Sequence, residues 1–289
     1  YLTLWFPTYR RGRIIALFMI GLPLSSVIGA PLSGWILGAF DQVQGLRGWQ
    51  WLFLLEGIPS VLLGPLALRL LPDGPKRAGW LDITEQGQVL RDLAVDEAQS
   101  PASGETFRQG FFNLKVWMLG GIDFAILLSA YALGFWMPTF IRNAGVSDVS
   151  EIGLLTAVPS IAAVIGMLVL GASSDRFRER RWHIILLFWI GAAAMATSTA
   201  FTDNVMATVL LFSIAQAAII GAVPVFFSLP ATFLTGTAAA TGFALACSLA
   251  NIAGLVSNTL IGVTLDLTGE SGAALWFFAA CLVLGSLLG

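Results

Sequence analysis

The stretch Ile152-Gly-Leu-Leu-Thr-Ala-Val-Pro-Ser-Ile-Ala-Ala-Val-Ile-Gly-Met-Leu-Val-Leu-Gly-Ala172 contains no charged residue. It runs directly into Ser173-Ser-Asp-Arg-Phe-Arg-Glu-Arg-Arg181, which holds four arginines. A bilayer core about 30 Å thick needs roughly 20 apolar residues of helix, so the first part is long enough to cross it. The second part carries the charge pattern of a loop on the positive side of a membrane. Similar runs lie at Ile14–Phe40, Trp51–Leu71, Val116–Ile141, Ile184–Phe201, Val205–Leu229, Ala238–Leu265 and Ala273–Gly289, giving eight expected spans. The runs are continuous rather than alternating, which excludes a β-barrel. The fold class is an all-α polytopic membrane protein.

Composition agrees. Of 289 residues, 57% are hydrophobic and 11% charged, against about 25% charged in an ordinary soluble domain. Lipid must be the solvent for most of this surface. Arg10, Arg11 and Arg13 precede the first span. Arg69, Lys76, Arg77, Arg91, Arg108 and Lys115 surround the long segment after the second. Arg176, Arg178, Arg180 and Arg181 follow the fourth. These are thirteen of the fifteen Lys and Arg residues; the alternate loops hold only Arg47 and Arg142. The positive-inside rule places the first group in the cytoplasm, so Tyr1 and Gly289 are expected on the cytoplasmic side. The chain begins at Tyr1 rather than Met and reads as a piece cut at both ends.

One sizeable polar stretch interrupts the spans. Pro72 and Pro75 end the span before it, and Pro101, Ser103 and Gly104 loosen the chain after it. Between them, Thr84 to Ala98 reads as a short amphipathic helix with Val89, Leu90 and Leu93 on one face. The expected domains are residues 1–71, a cytoplasmic loop at 72–115, and residues 116–289.

Polar groups within the spans are the candidates for chemistry. A charged residue at mid-membrane costs about 2.5–3.5 kcal/mol on insertion scales, so Glu56 and Asp123 stand out. Asp123 lies about two turns into the third span and is a candidate coupling residue or hydroxyl ligand. Glu56 lies near the start of the second span and reads as structural. Asn251 and Asn258 are seven residues apart and share a helix face, with Ser248 one turn before Asn251. An amide donates and accepts, which suits a hydroxylated carboxylic acid. Gln216, Tyr131, Trp136 and Ser25 are further candidate binding groups; each also suits a packing role. The cysteines Cys247 and Cys281 lack metal-ligand spacing, and the single histidine, His183, has no partner His or Cys. No metal site or cofactor is expected. The spans hold no paired nucleophile and base, which speaks against an enzyme.

Several runs resemble the major facilitator superfamily, and most of all its anion:cation symporter branch, near tartrate, phthalate and sugar-acid permeases. They are Tyr1-Leu-Thr-Leu-Trp-Phe-Pro7 with Arg10 to Arg13, Gly29-Ala-Pro-Leu-Ser-Gly-Trp35, and Gly48-Trp-Gln-Trp-Leu-Phe-Leu-Leu-Glu-Gly-Ile-Pro59. Leu71-Pro-Asp73 with Trp80-Leu81, Phe135-Trp-Met-Pro138 and Gly171-Ala-Ser-Ser-Asp-Arg176 with Arg180-Arg181 complete the set. The resemblance implies twelve helices in two six-helix halves, of which these eight spans are helices five to twelve. Helices one to four, where the family carries its chief basic and proton-coupling groups, are missing. It also implies alternating access around a midplane site, and a substrate-contacting asparagine on helix eleven that Asn251 matches.

Gly171, Asp175, Arg176, Arg180 and Arg181 form the family's signature loop. They are expected to latch onto helix five near Arg13 through the positive end of its dipole. Arg178 stands where the pattern often has glycine. The implied activity is secondary transport of a small organic anion, such as a sugar acid or dicarboxylate, by a monomeric protein of the bacterial inner membrane. A proton is the expected coupling cation. Exchange, facilitated diffusion and a transporter-like nutrient sensor are the alternatives; nucleic acid is not an expected partner.

Overall fold

The structure, a computed structural model, describes residues 1–7, 10, 14, 17–99, 111–177, 179–229, 236–268 and 272–288. Nine helices follow one another among these residues: α1 (Gly21–Ala39), α2 (Gly48–Leu70), α3 (Ile83–Gln99), α4 (Leu114–Asn143), α5 (Val149–Phe177), α6 (Arg181–Ser198), α7 (Val205–Ser228), α8 (Gly236–Thr268) and α9 (Gly272–Ser286). In hydrocarbon a backbone N–H or C=O has no water to turn to, so a continuous helix that satisfies its own groups is the natural solution. Pro31, Pro59, Pro65, Pro138, Pro159 and Pro224 all sit inside helices that continue through them.

Seven helices are long and apolar enough to cross a membrane, and α3 lies where the polar stretch places it. The eighth expected span falls on α9. Helix α9 is apolar throughout and runs for fifteen residues.

The chain divides into two compact units, residues 1–21 with 35–102, and residues 22–34 with 103–289. In the first unit, the Tyr1 hydroxyl donates to the Pro72 carbonyl at 3.2 Å, and the Trp5 ring stacks on Trp80 with centroids 5.5 Å apart. The start of the chain and the start of the central loop therefore lie side by side. The Gln86 amide donates to Pro75 O at 2.6 Å, which holds α3 to the same loop. Between α1 and α2 the chain turns tightly through Gln42 and Gln44, both at positive φ. The turn ends where the Gly48 N–H donates to Asp41 Oδ1 at 2.9 Å.

The second unit is built on α4, which packs along α8 and touches α5, α7 and α9. Phe188, Phe212, Phe226, Phe278 and Met195 fill its centre and are fully buried. Where helices come closest, glycines make room. A Cβ on Gly166 of α5 would lie 2.4 Å from the Ala217 carbonyl oxygen of α7. Gly34 of α1 and Gly153 of α5 touch backbone to backbone, and a Cβ on Gly153 would lie 2.6 Å from Ala30 O. Lipid tails are as apolar as leucine, so such close contact through small residues is what joins helices here.

Gly166→Leu is expected to destabilise the protein by about 2 kcal/mol or more, since its obstruction is backbone that has no rotamer to shift. Gly57 of α2 has open space around it, and Gly57→Leu is expected to stay within about 0.5 kcal/mol of the parent. Thermal denaturation in detergent measures both.

Candidate functional site

Helices α4 and α8 run side by side in the same direction, and four contacts fix their register. A Cβ on Gly120 would meet Leu249 and Ala246 at 3.1 and 3.6 Å. The Asp123 carboxyl interacts with the Cys247 thiol. The Tyr131 ring covers Gly254, three of its atoms lying 3.1–3.4 Å from where a Cβ would stand. The Trp136 indole N–H donates to Asn258 Oδ1 at 3.1 Å. The partner number rises along α8 as it rises along α4, which defines a parallel seam.

The sequence of α8 explains why the seam closes. Ala246, Ala250, Ala253, Ser257 and Ile261 are all at most 1% exposed, and steps of three and four residues put them on one helix face. Four of the five are small, so α8 lies close against its neighbour. The opposite face, with Ser248, Asn251, Ile252, Leu255 and Thr259, is exposed.

Asn251 and Asn258 therefore have different surroundings although they share a helix face. Asn258 is half-buried and both ends of its amide are engaged: Oδ1 accepts from Trp136, and Nδ2 donates to Gly254 O at 3.0 Å. Asn251 is exposed, and its Nδ2 donates to the Cys247 carbonyl at 2.7 Å. Its Oδ1 points to no partner among the described residues. Ser248 is exposed beside it. Tyr131 stacks on the exposed Phe135 with centroids 6.2 Å apart. The structure thus gathers Asp123, Tyr131, Trp136, Ser248, Asn251 and Asn258 along one pair of helices.

Two candidates lie elsewhere. Gln216 sits on α7, half-buried, with a buried Oε1 that has no hydrogen-bond partner. Ser25 on α1 is exposed and returns its hydroxyl to Leu22 O at 2.7 Å. Glu56 is half-buried on α2 and its own carbonyl accepts from Ser60. Asp123 is 6% exposed, and α7, α8 and α9 carry no Lys, Arg or His in their sequences. Sequence reasoning passed over Ser129, Ser257 and Cys247. Ser129 and Ser257 are fully buried with unpaired hydroxyls. The small-residue periodicity of α8 was the signal for Ser257; Ser129 and Cys247 had no signal beyond lying in a span.

At the other predicted site, α5 ends at Phe177 and α6 starts at Arg181, so the connection is very short. Gly171 lies against Pro224 of α7. The Ser174 hydroxyl donates to Glu179 O at 2.9 Å, and the Glu179 carboxylate accepts from the Trp182 N–H at 2.9 Å. His183 is engaged on both sides, by Ser173 Oγ at 3.1 Å and Glu179 Oε2 at 3.4 Å. These bonds join the end of α5 to the start of α6. Arg176 and Arg181 are exposed and Arg180 is half-buried. Arg13, Arg178 and the Asp175 side chain lie outside the described residues, and with them the expected latch contact.

Comparison with known proteins gives this arrangement a family. Residues 1–258 match the Major Facilitator Superfamily, and the chain belongs to that family. It is 73% identical over 288 residues to the putative metabolite transport protein NicT of Pseudomonas putida, covering 100% of this chain and 66% of that one. It is 35% identical over 288 residues to a putative tartrate transporter of Agrobacterium vitis, covering 100% and 64%. It is 34% identical to a quinolone resistance transporter of Acinetobacter baumannii, covering 99% and 66%. The chain thus spans just under two thirds of the length of these relatives. Among solved structures, the partially occluded inward-open xylose transporter XylE of Escherichia coli superposes with a TM-score of 0.67 at 15% identity. That match covers 99% of this chain and 64% of XylE, and establishes the fold.

Trp136→Phe keeps an aromatic side chain, though a smaller one, and removes the N–H, leaving Asn258 Oδ1 unpaired in the seam. The expected cost is about 1–2 kcal/mol. Combined with Asn258→Ala, the two losses are expected to fall short of additive by roughly 0.6 kcal/mol, the usual worth of an interhelical polar contact in a membrane. Thermal denaturation of the two single variants and the double variant checks this.

Proposed function

We propose that this chain is part of a secondary transporter that moves a small organic anion across the bacterial inner membrane by alternating access, coupled to protons. The observation that carries this reading is similarity over the whole chain to two putative tartrate transporters, at 35% and 34% identity. The exposed Asn251 amide on the α4–α8 seam supports it. It offers a carbonyl to a substrate hydroxyl, and an N–H that a carboxylate draws from the Cys247 carbonyl. Asp123 is the candidate coupling group. A carboxylate buried in a span, with no cation on the helices that flank it on three sides, costs several kcal/mol to keep charged. It gains from taking up a proton at some point in the cycle. Gln216, Tyr131 and Ser248 are the further candidate contacts. Gly171, Asp175, Arg176, Arg180 and Arg181, with Arg13, form the proposed cytoplasmic latch. The arginine-rich loops face the cytoplasm.

A second reading, export or exchange of another metabolite, draws on the quinolone resistance relative. One experiment separates them. The full-length protein in proteoliposomes is expected to accumulate labelled tartrate several-fold when the outside is acidic, and to lose that accumulation with a protonophore. Uptake indifferent to both would remove proton symport; counterflow alone would favour exchange. Asn251→Ala is expected to raise the KM about ten-fold, equivalent to one lost hydrogen bond to a charged group. An unchanged KM would move the site elsewhere.

A further inference from the structure

The foot of α2 carries two cations, Arg69 and Lys76, that make no ion pair or hydrogen bond among the described residues. Helix α2 is long and apolar enough to cross a membrane, and Arg69 lies in its last turn. Its neighbours Leu68, Leu70 and Leu71 are 87%, 64% and 54% exposed. Exposed leucines at the end of such a helix mark the edge of the hydrocarbon, so Arg69 stands where acyl chains give way to headgroups. Lys76, seven residues on, is exposed as well.

The turn between them is stiff, and all its contacts lie within the first unit. Gly74 takes a φ of 143°, which favours glycine, and Pro75 opens a short 3-10 turn at Pro75–Arg77. Pro75 and Ala78 are buried. The Ala78 N–H and the Gln86 amide both donate to Pro75 O, at 3.2 and 2.6 Å. From the other side, the Tyr1 hydroxyl holds Pro72 O and the Trp5 ring stacks on Trp80. Trp80 still leaves 68% of its surface exposed, and an indole ring favours the headgroup level of a bilayer.

The acids nearby are already engaged. Asp73 pairs with Arg77. Glu85 accepts from the Asp82 N–H at 3.1 Å, and Asp82 Oδ1 accepts from the Ile83 N–H at 2.8 Å, both at the start of α3. Asp92, Asp96 and Glu97 lie in the second half of α3, sixteen or more residues beyond Lys76. The positive charge of Arg69 and Lys76 is therefore left for a partner outside the chain.

We propose that Arg69 and Lys76, beside Trp80, form a docking site for the anionic headgroup of a membrane phospholipid. A phosphodiester with net negative charge accepts from a guanidinium and an ammonium together. The exposed leucines meet the acyl chains below it. A lipid fits better than a soluble anion, because its headgroup already lies at this level, joined to the apolar part that the leucines need. The site goes beyond the transport reading and does not depend on which substrate is carried.

The test places the full-length protein in nanodiscs of phosphatidylcholine, with and without phosphatidylglycerol. Peptide-resolved hydrogen exchange locates the contact, and native mass spectrometry measures phosphatidylglycerol binding. Phosphatidylglycerol is expected to slow exchange over residues 71–82, and high salt to weaken the effect. Arg69→Gln combined with Lys76→Gln is expected to abolish the slowing and to weaken binding about twenty-fold, since each cation near an anionic surface is worth about five-fold. Arg91→Gln combined with Arg142→Gln removes the same charge from exposed positions elsewhere, and is expected to keep both signals. Exchange in the rest of the chain reports that each variant is folded. A parent protein whose exchange over residues 71–82 ignores phosphatidylglycerol overturns the proposal. Equal weakening by the two pairs of substitutions overturns it too, by showing that only total charge matters. So does slowing reproduced by inorganic phosphate in phosphatidylcholine discs, which would assign the site to a free anion.

Discussion

The structure depends on a constraint that lipid imposes: helices must join without a hydrophobic drive to join them. Van der Waals contact at close range replaces that drive, and close range needs small side chains. The buried face of α8, with Ala246, Ala250, Ala253 and Ser257, is what that requirement looks like in this chain. Gly166 and Gly221 serve the same end between α5 and α7, as do Gly34 and Gly153 between α1 and α5. Larger residues at these positions would hold the helices apart and open gaps that lipid tails cannot fill well.

Polarity is then placed on the edges of those seams rather than scattered through them. Asn258 lies beside the small-residue face, where Trp136 reaches it, and serves as a cross-helix bond. Asn251 lies on the same edge two turns earlier, where no α4 side chain caps it, and stays exposed. Asp123 lies on the α4 side of the same seam, turned inward. Transport as proposed here needs groups that change partner cheaply. An exposed amide tied to its own helix backbone meets that need better than one shared between two helices.

Much of the fold was legible because lipid sets length and polarity together. The spans and the polar loop follow from runs and charges alone, and after the start of the first span the expected helix boundaries fall within about five residues of those found. The departures have local causes. Helix α2 begins at Gly48 rather than Trp51 because the Arg47 N–H donates to Gln50 Oε1 at 2.8 Å, a cap that hydrophobicity does not report. The site was legible only as a set of residue types. Seven-residue spacing puts Asn251 and Asn258 on one face, but only the register between α4 and α8 decides which of them meets Trp136. The same holds for Cys247, which reads as an ordinary apolar position until Asp123 is found opposite. His183 reads as isolated for a similar reason: Ser173 is ten residues away and reaches it only because the α5–α6 turn folds back.

The proposed role of Asn251 requires that α8 present one face to its neighbour and another, bearing Asn251, to water. Single cysteines introduced from 246 to 258, with Cys247 and Cys281 replaced by serine, test it through their rate of reaction with a small charged maleimide in native membranes. The account predicts fast labelling at 248, 251 and 255 and protection at 246, 250, 253 and 257, a pattern that repeats about every 3.6 residues. Uniform protection across the segment, or labelling that peaks on the alanine face, would contradict it.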